Sequence, residues 1–414
     1  MDAREKSGWT VVAGGVLINL MLGVTYTWSV FAGPLRDEFG WSQTEVQLAF
    51  SVMLAVFALA MIPAGWLQDR LGPRRVALAG GVLLGAGFVA TSLFATSPFM
   101  LYLTYGVLAG AGVGLAYCTP IAAGVKWFEG KRGLVSGIIV FGFGFGSLLL
   151  APLATNLIIA RGISTAFLAL GVLLSGIICI GALLLRNPPE SKAAGTYTGV
   201  HPFRMVGTMQ FWLLWVMFAF SAAAGLMVIG NLATFAKLSF TSVHGMADKD
   251  AVSLAALAVG VLGVFNGAGR ILAGWISDKA GRRVTMLAFF GAQAFLVSGI
   301  VYAGGLSPFA LFACMALVGL CFGSNFSLFP SATADFFGTK HAGANYGFVF
   351  TAYGVGGIIG PQVMAYLLDA AKSSAGTLSV GAYGTPFLVA GVLVGTAALL
   401  SVFTMKPPSG SDVK

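Results

Sequence analysis

The sequence predicts an all-α membrane protein of twelve transmembrane helices arranged as two six-helix repeats, and three observations carry that prediction. The 414 residues are 57% hydrophobic and only 9% charged, far from the roughly one-quarter charged residues of a soluble domain. Apolar stretches recur from Trp9 to Met405, each long enough for the roughly 20-residue helix that a hydrocarbon core of about 30 Å demands. The second half reads against the first at an offset of 209 residues, as expected of a chain built by repetition. Spanning strands would need the alternating polarity of a closed barrel, which these continuous apolar runs lack.

Glycine, proline and charge clusters bound the segments. The first half, 1–186, holds six, near 9–33, 44–67, 76–96, 98–123, 133–160 and 163–186. A polar stretch at 187–207 reads as a cytoplasmic linker, and the second half, 208–414, holds six more, near 210–236, 252–276, 284–304, 308–334, 342–370 and 383–405. The first segment lacks a small-residue cleavage site and is read as a helix, not a cleaved signal.

Charge placement sets the expected orientation. With both termini in the cytoplasm, seventeen of the 23 Lys and Arg lie inside, Arg36, Arg161, Lys237, Lys249 and Lys372 lie outside, and Arg270 remains within the eighth segment. This is the bias of cationic cytoplasmic loops, here in a plasma (inner) membrane. It accounts for the net charge of +9 without nucleic acid, because no basic stripe interleaves with aromatic residues. The four cysteines sit in apolar segments with no metal-ligand spacing, so they read as packing residues. No cofactor or metal is expected, and no nucleophile-base pair or paired carboxylates that would make an enzyme stand at membrane depth.

At the 209-residue offset Gly65, Asp69, Gly72 and Arg74 fall on Gly274, Asp278, Gly281 and Arg283, and Gly114 and Tyr117 fall on Gly323 and Phe326. Trp127 and Phe128 meet Phe336 and Phe337, and after one inserted residue Phe143 meets Tyr353. Parallel repeats of this kind are a transporter plan, with the substrate site expected near the midplane between them. The loop Gly65-Trp66-Leu67-Gln68-Asp69-Arg70-Leu71-Gly72-Pro73-Arg74-Arg75 and its copy Gly274-Trp275-Ile276-Ser277-Asp278-Lys279-Ala280-Gly281-Arg282-Arg283 resemble the signature loop of the major facilitator superfamily. The resemblance implies a conformational latch formed by Gly65, Asp69, Arg70, Arg74, Gly274, Asp278 and Arg282. Asp69 needs a cationic or dipolar partner, and one candidate is the N-terminus of the eleventh segment, whose N–H groups and dipole favour a carboxylate.

A second stretch, Lys126-Trp127-Phe128-Glu129-Gly130-Lys131-Arg132-Gly133-Leu134-Val135-Ser136-Gly137 running into Phe141-Gly142-Phe143-Gly144-Phe145-Gly146, resembles the helix 5 signature of monocarboxylate transporters, and oxalate:formate antiporters share a similar stretch. In both families an arginine stands in the membrane where Val264-Phe265-Asn266-Gly267-Ala268-Gly269-Arg270 runs here. The chain departs from the animal monocarboxylate pattern in lacking an acidic-Gly motif before the first segment, in carrying Trp28 about where a lysine is expected, and in carrying Asn266 where an acid precedes the arginine.

Arg270 is the most informative residue. A central arginine costs roughly 2.5 to 3.5 kcal/mol to insert, and its side chain leans toward the helix N-terminus, away from the near interface about 12 Å off. All fourteen acids read into termini, loops or helix ends, so the anion expected at that depth is the substrate, gripped by a planar fork that matches a carboxylate. Asn266 lies one turn earlier on the same face and is expected to orient the guanidinium or to donate to a second substrate oxygen. Tyr117 and Tyr353, at nearly equivalent repeat positions, and Phe143, Phe322, Phe326 and Tyr26, placed by repeat matching and family position, complete the expected substrate-binding set. Oxalate:formate exchangers of this branch carry a second membrane cation where Tyr353 stands, so the resemblance together with one cation favours small monocarboxylates such as lactate or pyruvate. Proton-coupled symport is expected, with exchange of carboxylates or carriage of another small anion as the alternative. His201, His244 and His341 read into loops, so the proton is expected to travel on the substrate carboxylate or on an acid near a helix end such as Glu45 or Asp369. The working unit is expected to be a monomer in contact with membrane lipid.

Overall fold

A computed structural model describes residues 3–189, 199–371 and 378–404. Lys372, residues 190–198 of the expected linker and the chain end beyond 404 lie outside the described residues. Among the described residues the chain is helical, with eleven helical stretches long and apolar enough to cross a membrane and one bent pair that makes a twelfth.

The chain divides into two compact units, Met1–Thr208 with Pro330–Thr351, and Met209–Phe329 with Ala352–Met405. The first unit contains α1 (Ala3–Leu22), α2 (Trp28–Phe39), α3 (Gln43–Leu71), α4 (Pro73–Phe94), α5 (Pro98–Leu101), α6 (Gly110–Trp127), α7 (Arg132–Arg161), α8 (Ile163–Leu183) and the short α9 (Pro202–Val206). The second contains α10 (Met209–Ser242), α11 (Asp248–Ala280), α12 (Arg282–Ser298), α13 (Ile300–Leu306), α14 (Pro308–Gly323) and α17 (Gly384–Ser401). Two helices, α15 (Asn325–Phe337) and α16 (Ala342–Ala370), are shared between the units.

Several expected segments are broken internally. The first is interrupted by a 3-10 stretch at Gly23–Thr27, and the fourth is wound as a π-helix over Tyr102–Ala109, the wide turn that often marks a functional region. The ninth bends by 54° at Gly299 between α12 and α13. The tenth breaks at Ser324, whose hydroxyl donates to the Cys321 carbonyl at 2.6 Å, a local bond that competes with the helical ladder.

Local chemistry explains the boundaries that matter for the site. Ser42 caps α3 by accepting from the Glu45 N–H at 3.2 Å, while the Glu45 carboxylate accepts from the Ser42 N–H at 2.8 Å, a reciprocal capping box. The repeat-related glycines Gly72 and Gly281 end α3 and α11 with φ of +84° and +88°, conformations that a Cβ would strain. Glycine also sets the α11–α14 crossing, since a Cβ at Gly323 would stand 2.0 Å from the Asn266 carbonyl oxygen. Its repeat mate Gly114 does the same for α3 and α6, where a Cβ would stand 2.7 Å from the Phe57 carbonyl. Backbones this close give small-residue packing the dispersion contacts that lipid cannot replace.

Candidate functional site

The α11–α14 crossing builds one cluster in the second unit. On α11 the face carrying Asn266, Gly267, Arg270, Ala273 and Gly274 is buried, while Val264, Phe265, Leu272 and Trp275 are exposed, the helical periodicity of a span with one lipid face. Arg270 is 0% exposed and is the largest fully buried side chain described. Its Nε donates to the Asn266 Oδ1 at 3.1 Å, and its guanidinium carbon stands 4.3 Å from the centre of the Phe326 ring. A desolvated guanidinium over an aromatic face gains about 2 kcal/mol. Phe326 in turn meets Phe322 at 5.7 Å and Tyr353 at 5.4 Å, both edge-on. Phe218 of α10 closes the group at 6.0 Å from Tyr353. Arg270, Asn266, Phe322, Phe326 and Tyr353 are therefore joined in one chain of contacts.

A second cluster occupies the first unit. Tyr26 lies edge-on to Phe143 at 5.0 Å, and Tyr117 contacts Phe143 at 5.3 Å. Phe57 and Phe350 complete it at 5.3 and 5.5 Å from Tyr117. Tyr26 is 37% exposed, whereas Tyr117 and Phe143 are buried.

The loop residues form ion pairs. Asp69 at the end of α3 receives the Lys126 ammonium at 3.0 Å, both side chains 7% exposed, and its second oxygen accepts from the Ala344 N–H at 3.2 Å. That donor is in the first turn of α16, the N-terminus the sequence offers as one partner; Lys126 is the addition. Gly65 permits the approach, since a Cβ there would stand 2.2 Å from the Gly343 backbone. Arg132 pairs with Asp335 at 2.7 Å. The second copy behaves differently, as Asp278 pairs with Arg282 four residues on at 2.8 Å, and Arg282 also donates to the Ser277 hydroxyl. Arg70 stands 5.9 Å from the Trp66 ring centre, and Arg74 donates to the Leu183 carbonyl, so neither joins Asp69.

Phe57, Phe218 and Phe350 belong to these clusters and are missed by sequence reasoning. A signal existed for Phe57, which stands 209 residues before Asn266. Lys126 and Arg132 are legible as loop cations, without partners.

The comparisons with known proteins agree with this architecture. Residues 14–361 match the profile described as Major Facilitator Superfamily. The chain is 30% identical to the oxalate:formate antiporter of Oxalobacter formigenes over 98% of its own length and 93% of that protein. It is 29% identical to human monocarboxylate transporter 11, covering 94% of the chain and 80% of the relative. Among solved structures, the proton:xylose symporter XylE bound to 6-bromo-6-deoxy-D-glucose superposes with a TM-score of 0.73 at 15% identity, over 97% of each chain, a likeness of fold alone. With its helical spans, its duplicated signature loop and relatives that are transporters and not enzymes, the chain is an integral multi-pass membrane transporter that belongs to the major facilitator superfamily.

Proposed function

We propose that the chain carries small monocarboxylates of the lactate and pyruvate type across a plasma (inner) membrane by alternating access, with both termini in the cytoplasm and Arg270 gripping the carboxylate. The observation that carries this reading is the fully buried guanidinium held from two sides, by the 3.1 Å bond to Asn266 and by the Phe326 ring 4.3 Å from its carbon. A guanidinium so held is preorganised for the parallel two-bond recognition of a carboxylate. Phe322, Phe326 and Tyr353 supply an apolar wall with one hydroxyl, suited to a short organic acid, and Tyr26, Tyr117 and Phe143 are assigned the same role in the first unit. The contacts of Asp69 with Lys126 and Ala344 serve as the latch of the outward-facing state. Thermal-shift titration of the purified protein with mono- and dicarboxylates tests the substrate class, since a ligand bound to the folded state alone raises its stability. Monocarboxylates are expected to stabilise, and a shift confined to inorganic anions overturns the proposal.

Coupling to a proton is a separate part of the proposal, with the proton travelling on the substrate carboxylate or on an acid near a helix end such as Glu45, which caps α3, or Asp369. Uptake of labelled lactate into proteoliposomes with and without an imposed pH gradient tests symport, and indifference to the gradient removes it. The 30% identity to the oxalate:formate antiporter favours exchange of carboxylates as a second reading, recognised by uptake that requires a carboxylate on the opposite side.

A further inference from the structure

The described end of the linker lies against the loop between α15 and α16. Gly199 bridges Gly338, the Val200 N–H donates to the Phe337 carbonyl at 2.8 Å, and the Val200 carbonyl accepts from the Asn345 side chain at 3.1 Å. Asn345 is 0% exposed, so its amide would lose a partner that water does not replace, and the part-buried bond is costly to break. Phe203, itself exposed, touches Trp66 at 5.6 Å and Phe348 at 6.1 Å between ring centres. Residues 199–203 thus form a strap over the start of α16, the same turn whose Ala344 N–H is taken by Asp69.

At the middle of the strap His201 and His341 meet with ring centres 5.5 Å apart. The charged groups acting on His341 are Lys340 beside it, Lys126 at the end of α6 and Asp69 at the end of α3, and Arg204 stands near His201, whose carbonyl accepts from the Arg204 N–H at 2.9 Å. Asp69 is the one acid among them and is shared already with Lys126. A proton on His341 would add a third cation beside Lys340 and Lys126 around one carboxylate.

We propose that the His201–His341 contact makes the strap a proton-sensitive lock, closed when the His341 imidazole is neutral and released from the start of α16 when acidification charges it. Burial, the neighbouring imidazole and the two lysines hold the His341 pKa below the ordinary histidine range, against the pull of Asp69. The sign follows from linkage: the docked strap binds fewer protons than the released one, so docking is strongest above the ordinary histidine pKa of about 6.5 and weakens as pH falls through it. Histidine is the side chain whose charge changes in this window. Such a lock would answer to proton concentration on the strap's own side of the membrane, whatever the substrate carried.

Spin labels at Glu129→Cys and Arg204→Cys, both exposed in the native chain, report strap position in the full-length protein in lipid nanodiscs. Between about pH 7.5 and about pH 5.5, either side of the histidine range, the single docked distance is expected to lose most of its population to a broad, longer one. His201→Gln with His341→Gln is expected to keep the docked distance at both pH values, and His201→Gln alone to blunt the change. A wild-type distribution that does not move, or a double variant that moves as far as wild type, overturns the proposal. The readout needs no substrate, so failure of the monocarboxylate reading leaves it intact.

Discussion

Replacing Arg270 by lysine keeps the charge and removes the fork, which separates the two things a guanidinium can contribute. Lysine has no Nε–H to donate to Asn266 at 3.1 Å, and its compact ammonium lacks the delocalised plane that the guanidinium brings to within 4.3 Å of the Phe326 ring centre. If a carboxylate receives two parallel charge-assisted bonds from the arginine, lysine retains one. The loss of the other is about 1.5 kcal/mol, or about tenfold in Kd. Arg270→Ala removes both, about 3 kcal/mol or more, and weakens binding by at least about 100-fold. The assay is the ligand-dependent shift of Tm at graded pyruvate concentrations, not Tm itself, because removing a buried cation also removes its desolvation penalty and leaves the sign of the bare stability change open. Lysine binding as tightly as arginine would show that charge without geometry suffices. A full pyruvate shift in Arg270→Ala would refute the placement of the carboxylate at Arg270.

Asp69→Asn breaks a buried ion pair from one side and strands the Lys126 ammonium, a change worth about 3 to 5 kcal/mol. It should lower thermal stability and raise thiol labelling of Ala342→Cys at the start of α16, whereas unchanged labelling would end the latch reading. Gly323→Leu drives a side chain into the Asn266 carbonyl, where even a Cβ would stand at 2.0 Å. It should cost about 1 to 3 kcal/mol by overpacking and abolish the pyruvate shift by displacing Asn266, and a retained shift would show that the α11–α14 spacing is not what places the site. Tyr353→Lys introduces a second cation about one aromatic ring from Phe326 and should improve binding of oxalate relative to pyruvate in the same titration; no gain would count against one cation setting the substrate charge.

The features legible in the sequence are those where a residue violates its surroundings or repeats. Arg270 is visible because a charge in an apolar run has few explanations, and the loop glycines because their spacing recurs after 209 residues. The helix breaks at Ser324 and Gly299 are not visible, because one serine or one glycine carries no signal in a chain with 58 glycines. Phe57, Phe218 and Phe350 are hidden for a similar reason. Among 33 phenylalanines, the rotation of each helix decides which ring meets Tyr117 or Tyr353, and hydrophobicity is indifferent to that rotation. The Lys126–Asp69 pair spans 57 residues and depends on how two helix ends pack. The strap is held largely by backbone groups of Gly199 and Val200, which every sequence possesses.

The repeat preserves backbone geometry more faithfully than charge. Gly72 and Gly281 keep nearly the same positive φ, and Gly114 and Gly323 each permit a close backbone approach, to the carbonyls of the repeat-related Phe57 and Asn266. Yet 209 residues on from Lys126 stands Asp335. A second copy of the Asp69–Lys126 contact would set Asp278 against another acid. Asp278 turns instead to Arg282 in its own loop, and Asp335 is answered by Arg132. Within the membrane the inversion is of polarity, since Phe57 and Met61 of α3 correspond to Asn266 and Arg270 of α11. An arginine at Met61 would add a further cation at roughly 2.5 to 3.5 kcal/mol, which a substrate with one carboxylate would not offset. Under the proposed function, duplication of the scaffold with the charge confined to one copy is therefore the arrangement that matches one anionic group per substrate while the other copy contributes aromatic surface.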